Sequence, residues 1–378
     1  MHPLRELSLD ELRRRTSMKW FRYPADVLPL WVAEMDVRLA EPIERALHDA
    51  VAAGDTGYPD GRDYAEAAAG FASDRWAWMG LDPARTAPVA DVMTGIVEMI
   101  RLVSDPGDPV VINPPVYPPF FGFVQHAERA IVEAPLGDDG RLDLDALGTV
   151  FERASFGGRR VTYLLCNPQN PTAVVHTRAE LEAVARLAAE HRVRVVVDEI
   201  HAPLAGPEFV PYLSVDGTDD AYSLVSASKA WNLAGAKAAV AVGGPATTDE
   251  LARLPEIVSH GPSQLGVIAG VAALTEGRDW LDALRADLDD NRTLLDRLLA
   301  EHLPDVRWVR GPGTYLAWLD FRALDLGDDP AAAILDQGRV ALEPGPDFGH
   351  GAGFARLNYG TTPEILEMAI ERMTKAIT

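Results

Sequence analysis

Three short segments carry residues that could do chemistry together: Asn170 in Asn167-Pro168-Gln169-Asn170-Pro171-Thr172, Asp198 in Asp198-Glu199-Ile200-His201, and Lys229 in Ser226-Ala227-Ser228-Lys229. They stand 28 and 31 residues apart, and each follows an apolar run of strand length, VTYLLC, VRVVV or SLVS. A carboxylate at the end of a buried strand is costly unless a cation partners it. An amine flanked by the Ser226 and Ser228 hydroxyls can lose its proton when desolvated, which suits Schiff-base chemistry at Lys229. The prolines around Asn170 stiffen the backbone and leave its amide able to donate to a ligand oxygen.

Each residue also has a plain structural reading. Asn-Pro pairs make rigid turns, Asp198 could cap a helix or close a strand-end ion pair, His201 could be a satisfied core histidine, and an isolated lysine is usually solvated. Position and company favour chemistry, because ligands of open α/β sheets sit beyond the carboxyl ends of the strands.

The elements that must position these groups follow from periodicity. From about Glu41 onward, strand-length apolar runs alternate with longer helical patterns, which predicts an α/β fold with a mostly parallel sheet wrapped by helices. Strands are expected at 109–113, 161–166, 193–197, 223–226 and 238–243, nearly all apolar on both faces. A helix is expected over 178–190, with Thr177 as N-cap and Glu180 closing a capping box. A long helix over 279–302 leads into a C-terminal α+β lobe with strands at 307–309, 315–320 and 354–357. The expected organisation is an N-terminal segment 1–40 packing with the small domain, a large domain 41–278 and a small domain 279–378.

Charge narrows the partners. Lys and Arg number 35 against 57 Asp and Glu, a net charge of -22 that repels phosphate backbones and anionic lipid, so neither nucleic acid nor membrane is an expected partner. The single cysteine, Cys166, can form no internal disulfide, and the nine histidines show no HExxH pattern, so no metal site is expected. The N-terminus lacks the apolar core of a secretory signal and no stretch approaches the length of a membrane span, which points to the cytoplasm.

With these residues in place, the chain resembles the fold-type-I pyridoxal 5'-phosphate (PLP) enzymes related to aspartate aminotransferase, the aminotransferase class I/II superfamily, over nearly its whole length. The resemblance implies that Lys229 forms the Schiff base with PLP, Asp198 keeps the pyridine nitrogen protonated, and Asn170 donates to the ring hydroxylate oxygen with support from His201. It further implies that Tyr117 in PPVYPPF stacks on the ring, and that Val92, Met93 and Thr94 at a helix start, with Ser226 and Ser228, receive the phosphate. Lys237 stands where many members carry a phosphate-binding arginine. Arg356 in FARLNYG would grip the substrate α-carboxylate, with Ala33 and Asn170 in the same substrate site. Tyr58 in TGYPDG resembles a tyrosine that reaches a neighbouring subunit's phosphate, and Ser263 would lie near that boundary, implying a homodimer with shared active sites.

Within that superfamily, Leu28-Pro29-Leu30-Trp31-Val32-Ala33-Glu34-Met35-Asp36 resembles the start of the cystathionine β-lyase-like C–S lyases of the MalY/PatB type, as do YPDG, PVYPPF and SKAWNLAG. The resemblance implies β-elimination of an S-substituted cysteine to a thiol, pyruvate and ammonia. Two alternatives share the same residues: an aminotransferase of a small amino acid, and a PLP-binding regulator without turnover. Gln169 and Ala173 depart from the family's NPHNPTG pattern, and a glycine expected near Asp91 is missing, which bears on substrate choice more than on cofactor use.

Overall fold

In the computed structural model, which describes residues 1–377, the chain divides into two units. The larger comprises Leu39–Gln169 and Val175–Arg278; the smaller comprises Met1–Arg38, Asn170–Val174 and the residues from Asp279 onward.

Among its described residues the larger unit carries a seven-stranded sheet: β1 (Thr86–Val89), β2 (Pro109–Ile112), β3 (Ala130–Glu133), β4 (Val161–Cys166), β5 (Val193–Asp198), β6 (Tyr222–Val225) and β7 (Ala239–Gly243), in the order β1-β7-β6-β5-β4-β2-β3. The strands from β6 to β3 pair in parallel, whereas β7 runs antiparallel to both its neighbours. β4 is buried at every position, as a strand covered on both faces must be. Alternation splits it between two cores: Leu164 and Cys166 join Val196 on one face, while Tyr163 and Leu165 join Val195 and Val197 on the other. Asp198, two residues after Val196 and in register with Cys166, therefore shares the first face.

That face is covered by a helix over Val92–Val103, which follows a helix over Arg62–Trp76; we label these α2 and α1. Gly95 lets α2 approach the sheet, since a Cβ there would come within 2.6 Å of a Leu224 methyl. The opposite face takes α3 (Arg178–His191), whose N-terminus has the capping box expected of Thr177 and Glu180. Next comes α4 (Gln264–Thr275), whose Gly270 makes room for the Tyr64 ring of α1.

The smaller unit contains the long helix α5 (Arg278–His302, from Asp279 onward), β8 (Arg307–Trp308), β9 (Leu316–Asp320), β10 (Glu343–Pro344), β11 (Phe354–Asn358) and α6 (Pro363–Ile377). Its strands form an antiparallel sheet in the order β10-β11-β9-β8. The Leu28–Asp36 segment is laced to the end of β11: Asn358 donates from its backbone to Leu30 O at 2.9 Å and from Nδ2 to the Val32 and Glu34 carbonyls at 2.7 Å each. Asp36 closes the segment in a fully buried ion pair with Lys19 at 2.7 Å, with Trp20 Nε1 donating to its other oxygen. A buried charge needs such pairing, so much of this motif is scaffold.

Candidate active site

Asp198 is the last residue of β5 and is buried. Its Oδ1 accepts the Ile200 amide at 3.0 Å. Burial raises its carboxyl to about 6, opposed by that bond and by the charge of Lys229. Lys229 is half-buried in the turn that follows β6, held by Trp231 N–H on Ala227 O at 3.1 Å and Leu233 N–H on Ser228 O at 2.8 Å. Sequence reasoning missed Tyr64, whose buried hydroxyl accepts the Ala227 amide at 2.8 Å and so fixes this turn from α1. It also missed Glu199, held by the Tyr212 amide and the Ser223 hydroxyl, whose carboxyl burial pushes up to about 7.

Beside the turn, Ser226 Oγ donates to Ala238 O at 2.8 Å and lies 2.7 Å from Ser228 Oγ. At the start of α2, Asp91 Oδ1 accepts the Thr94 amide at 2.7 Å, while Oδ2 meets Lys237 Nζ at 2.5 Å. The stretch near which a glycine was expected thus carries a carboxylate, Asp91, that already engages two of the groups assigned to a phosphate. Val92, the first residue of α2, is buried, and Met93 Sδ receives the Tyr117 hydroxyl at 3.8 Å, joining two of the expected residues. Gln169 donates to Pro115 O at 3.0 Å and so braces the segment that presents Tyr117. His201 is buried at the entry to a short helix over Ala202–Ala205. Ser263 caps α4 and donates its amide to Lys237 O at 2.7 Å. Tyr58 lies apart from these groups in its exposure, 85%, with its ring edge-on to His260.

In the smaller unit, Arg356 on β11 is buried. One guanidinium nitrogen donates to Asn170 Oδ1 at 3.0 Å, the other to Trp31 O at 2.9 Å, and the Phe348 ring lies 5.1 Å from its carbon. Glu343, directly across the strand pair in register, sits 3.7 Å away. Asn170 is held between two turns of chain: the Asn167–Pro168 and Asn170–Pro171 bonds are cis, and Ala173 takes φ 58°, the left-handed conformation for which the family pattern has glycine. Ala33 is buried, and its carbonyl accepts the Tyr315 hydroxyl at 3.0 Å.

These donors and acceptors fit PLP chemically. Asp198 is a buried carboxylate whose raised proton affinity signals want of a counter-charge, which a protonated ring nitrogen supplies. Ser228, the α2 amides and Lys237 form a set of anion donors, Tyr117 offers an aromatic face, and Lys229 an amine. Among the described residues, no cluster of three or more histidine, cysteine or acidic side chains could hold a metal ion.

Known proteins agree with this chemistry. The chain is 53% identical to a Mycobacterium tuberculosis protein described as "Putative cystathionine beta-lyase", covering 100% of this chain and 98% of that one. It is 34% identical to "Cystathionine beta-lyase PatB" of Bacillus subtilis, covering 93% of each. Cystalysin from Treponema denticola, whose structure contains a pyridoxal 5'-phosphate cofactor, superposes with a TM-score of 0.91 at 25% identity, over 100% of this chain and 98% of that one. The model of the family "Aminotransferase class I and II" matches residues 36–373, and the chain belongs to that family.

Proposed function

We propose that this chain is a PLP-dependent C–S β-lyase that cleaves an S-substituted cysteine of the cystathionine type to a thiol, pyruvate and ammonia. The observation that carries this most is the buried Asp198 carboxylate at the end of β5, within electrostatic reach of Lys229 in the next strand-end turn. The relatives named cystathionine β-lyase support elimination over transamination and over a regulator without turnover.

When bound, PLP supplies an electron sink that delocalises the charge left at Cα. The chain's residues do the rest. Asp198 would stay ionised against the ring nitrogen and keep the proton there. Asn170, its Oδ1 engaged by Arg356, keeps Nδ2 as a donor that would serve the ring hydroxylate oxygen, with His201 in support. Tyr117 would cover the ring face, and Val92, Met93, Thr94, Ser226, Ser228 and Lys237 would hold the phosphate. Arg356, in a site that includes Ala33, takes the substrate α-carboxylate through paired hydrogen bonds. Lys229 Nζ removes the Cα proton as general base. The Cβ–S bond then breaks, the electron pair leaving with sulfur, and Lys229, holding the proton taken from Cα, would return it to the departing thiolate; water completes the release of pyruvate and ammonia.

We further assign a homodimer in which Tyr58 completes the partner's phosphate site, in keeping with its exposure and that of Ile257 close by in sequence to His260. A cytoplasmic location is in keeping with a single buried cysteine, Cys166, which can form no internal disulfide; among the described residues, no helix is long and apolar enough to cross a membrane.

The test is to supply the PLP-loaded protein with cystathionine and S-alkyl cysteines. Pyruvate and thiol appearing in equal amounts, and in neither case with Lys229→Ala, is the expected result. A keto acid retaining its sulfur, with no thiol, would establish transamination instead.

A further inference from the structure

Glu343 has no part in the function assigned so far, yet it lies directly across β10 and β11 from Arg356, its carboxylate 3.7 Å from the guanidinium. That separation is too long for a hydrogen bond. The geometry of Arg356 is already fixed by neutral groups: Asn170 Oδ1 at 3.0 Å, Trp31 O at 2.9 Å and the Phe348 ring beneath it. Glu343 is therefore not needed to anchor the arginine, and what it adds is a negative field. It is largely buried, at 22% side-chain exposure, where charges are poorly screened. Burial holds its carboxyl above the ordinary range, against the pull of Arg356 and with Asp347 adding to the negative charge nearby. An arginine that must take up an anion thus already shares its charge.

Resting on the reading of Arg356 as the α-carboxylate site, we propose that Glu343 is a specificity-determining residue: it favours amino acids whose side chains carry no net negative charge and disfavours dicarboxylic ones. A zwitterion brings its α-carboxylate to Arg356 together with an ammonium that offsets the repulsion from Glu343. A substrate with a second carboxylate brings one more negative charge into the same field without a further cation. Cystathionine-type and S-alkyl cysteines belong to the first class, aspartate and glutamate to the second.

The experiment uses the holoenzyme and reads dissociation constants from the cofactor's absorbance on titration with L-alanine and L-aspartate, in wild type and in Glu343→Gln, Glu343→Ser and Glu343→Asp. The expected result is that the ratio of the aspartate constant to the alanine constant falls about tenfold in Glu343→Gln and Glu343→Ser, and stays near the wild-type value in Glu343→Asp, which keeps the charge. An unchanged ratio in either folded neutral variant would overturn the proposal. Arg356→Gln tests the underlying reading separately: if it leaves alanine binding unaltered, Arg356 is not the carboxylate site, whatever the Glu343 variants show.

Discussion

Replacing Asp198 by asparagine should make the cofactor-free protein more stable and the loaded protein less able to hold its cofactor. Burial raises the carboxyl from its ordinary 3.8 to about 6. A carboxyl whose proton affinity rises on folding carries a penalty that is fully present above the folded value and disappears as pH falls toward the unfolded one. At about 1.4 kcal/mol per tenfold change in proton affinity, that penalty is roughly 3 kcal/mol near neutral pH. The amide accepts the Ile200 N–H less strongly than the carboxylate does, which returns about 1 kcal/mol. The cofactor-free Asp198→Asn protein should therefore exceed wild type by roughly 2 kcal/mol at about pH 8, with the difference closing as pH falls from about 6 to 4. Glu199, raised to about 7 by burial with the Asp198 charge adding to it, loses that added repulsion in the variant, which shifts the comparison in the same direction at the alkaline end. Urea unfolding of both cofactor-free proteins at the two ends of this range measures it, with PLP titration alongside. A variant less stable than wild type at the alkaline end, or a difference independent of pH, would refute the reading of Asp198 as a buried charge awaiting a cation.

Asp91→Asn keeps a good helix cap but removes the charge that engages Lys237 and competes for the Thr94 amide, so the dissociation constant for PLP should fall about tenfold in an absorbance titration. An unchanged or weaker affinity would mean that Asp91 does not oppose the phosphate. Tyr64→Phe leaves the buried Ala227 amide without its acceptor, at a cost of about 1–3 kcal/mol in unfolding free energy, and should weaken PLP binding in the same titration because the Lys229 turn loosens. Stability lost without any change in PLP affinity would confine Tyr64 to the fold.

The central strands were legible because burial on both faces writes a continuous apolar run: β4 was read at its full length, and β5 to within one residue. The Thr177–Glu180 capping box was legible because all its groups lie within one turn. β1 and β3 were not read. β3 is an exposed edge strand whose four residues carry no buried face, and β1 alternates weakly and is interrupted by Pro88. The antiparallel direction of β7 leaves no mark in its own composition, only in the connection before it. Around the site, residues in strand-end motifs could be singled out because the motif surrounds them. Tyr64, Asp91 and Glu343 could not, since each acts on a group distant in sequence: Ala227, Lys237 and Arg356 respectively. A missing glycine was visible near Asp91, but the pairing of Asp91 with Lys237 became apparent only when both were placed.

The central claim, that Lys229 is the amine that carries PLP and serves as base, is tested most directly by reducing the loaded protein with borohydride, digesting it and mapping the pyridoxyl group by mass spectrometry. The expected result is one labelled peptide, bearing the group on Lys229, and no label in Lys229→Ala. A label on Lys237 or any other lysine, or none at all in a protein that holds PLP, would contradict it.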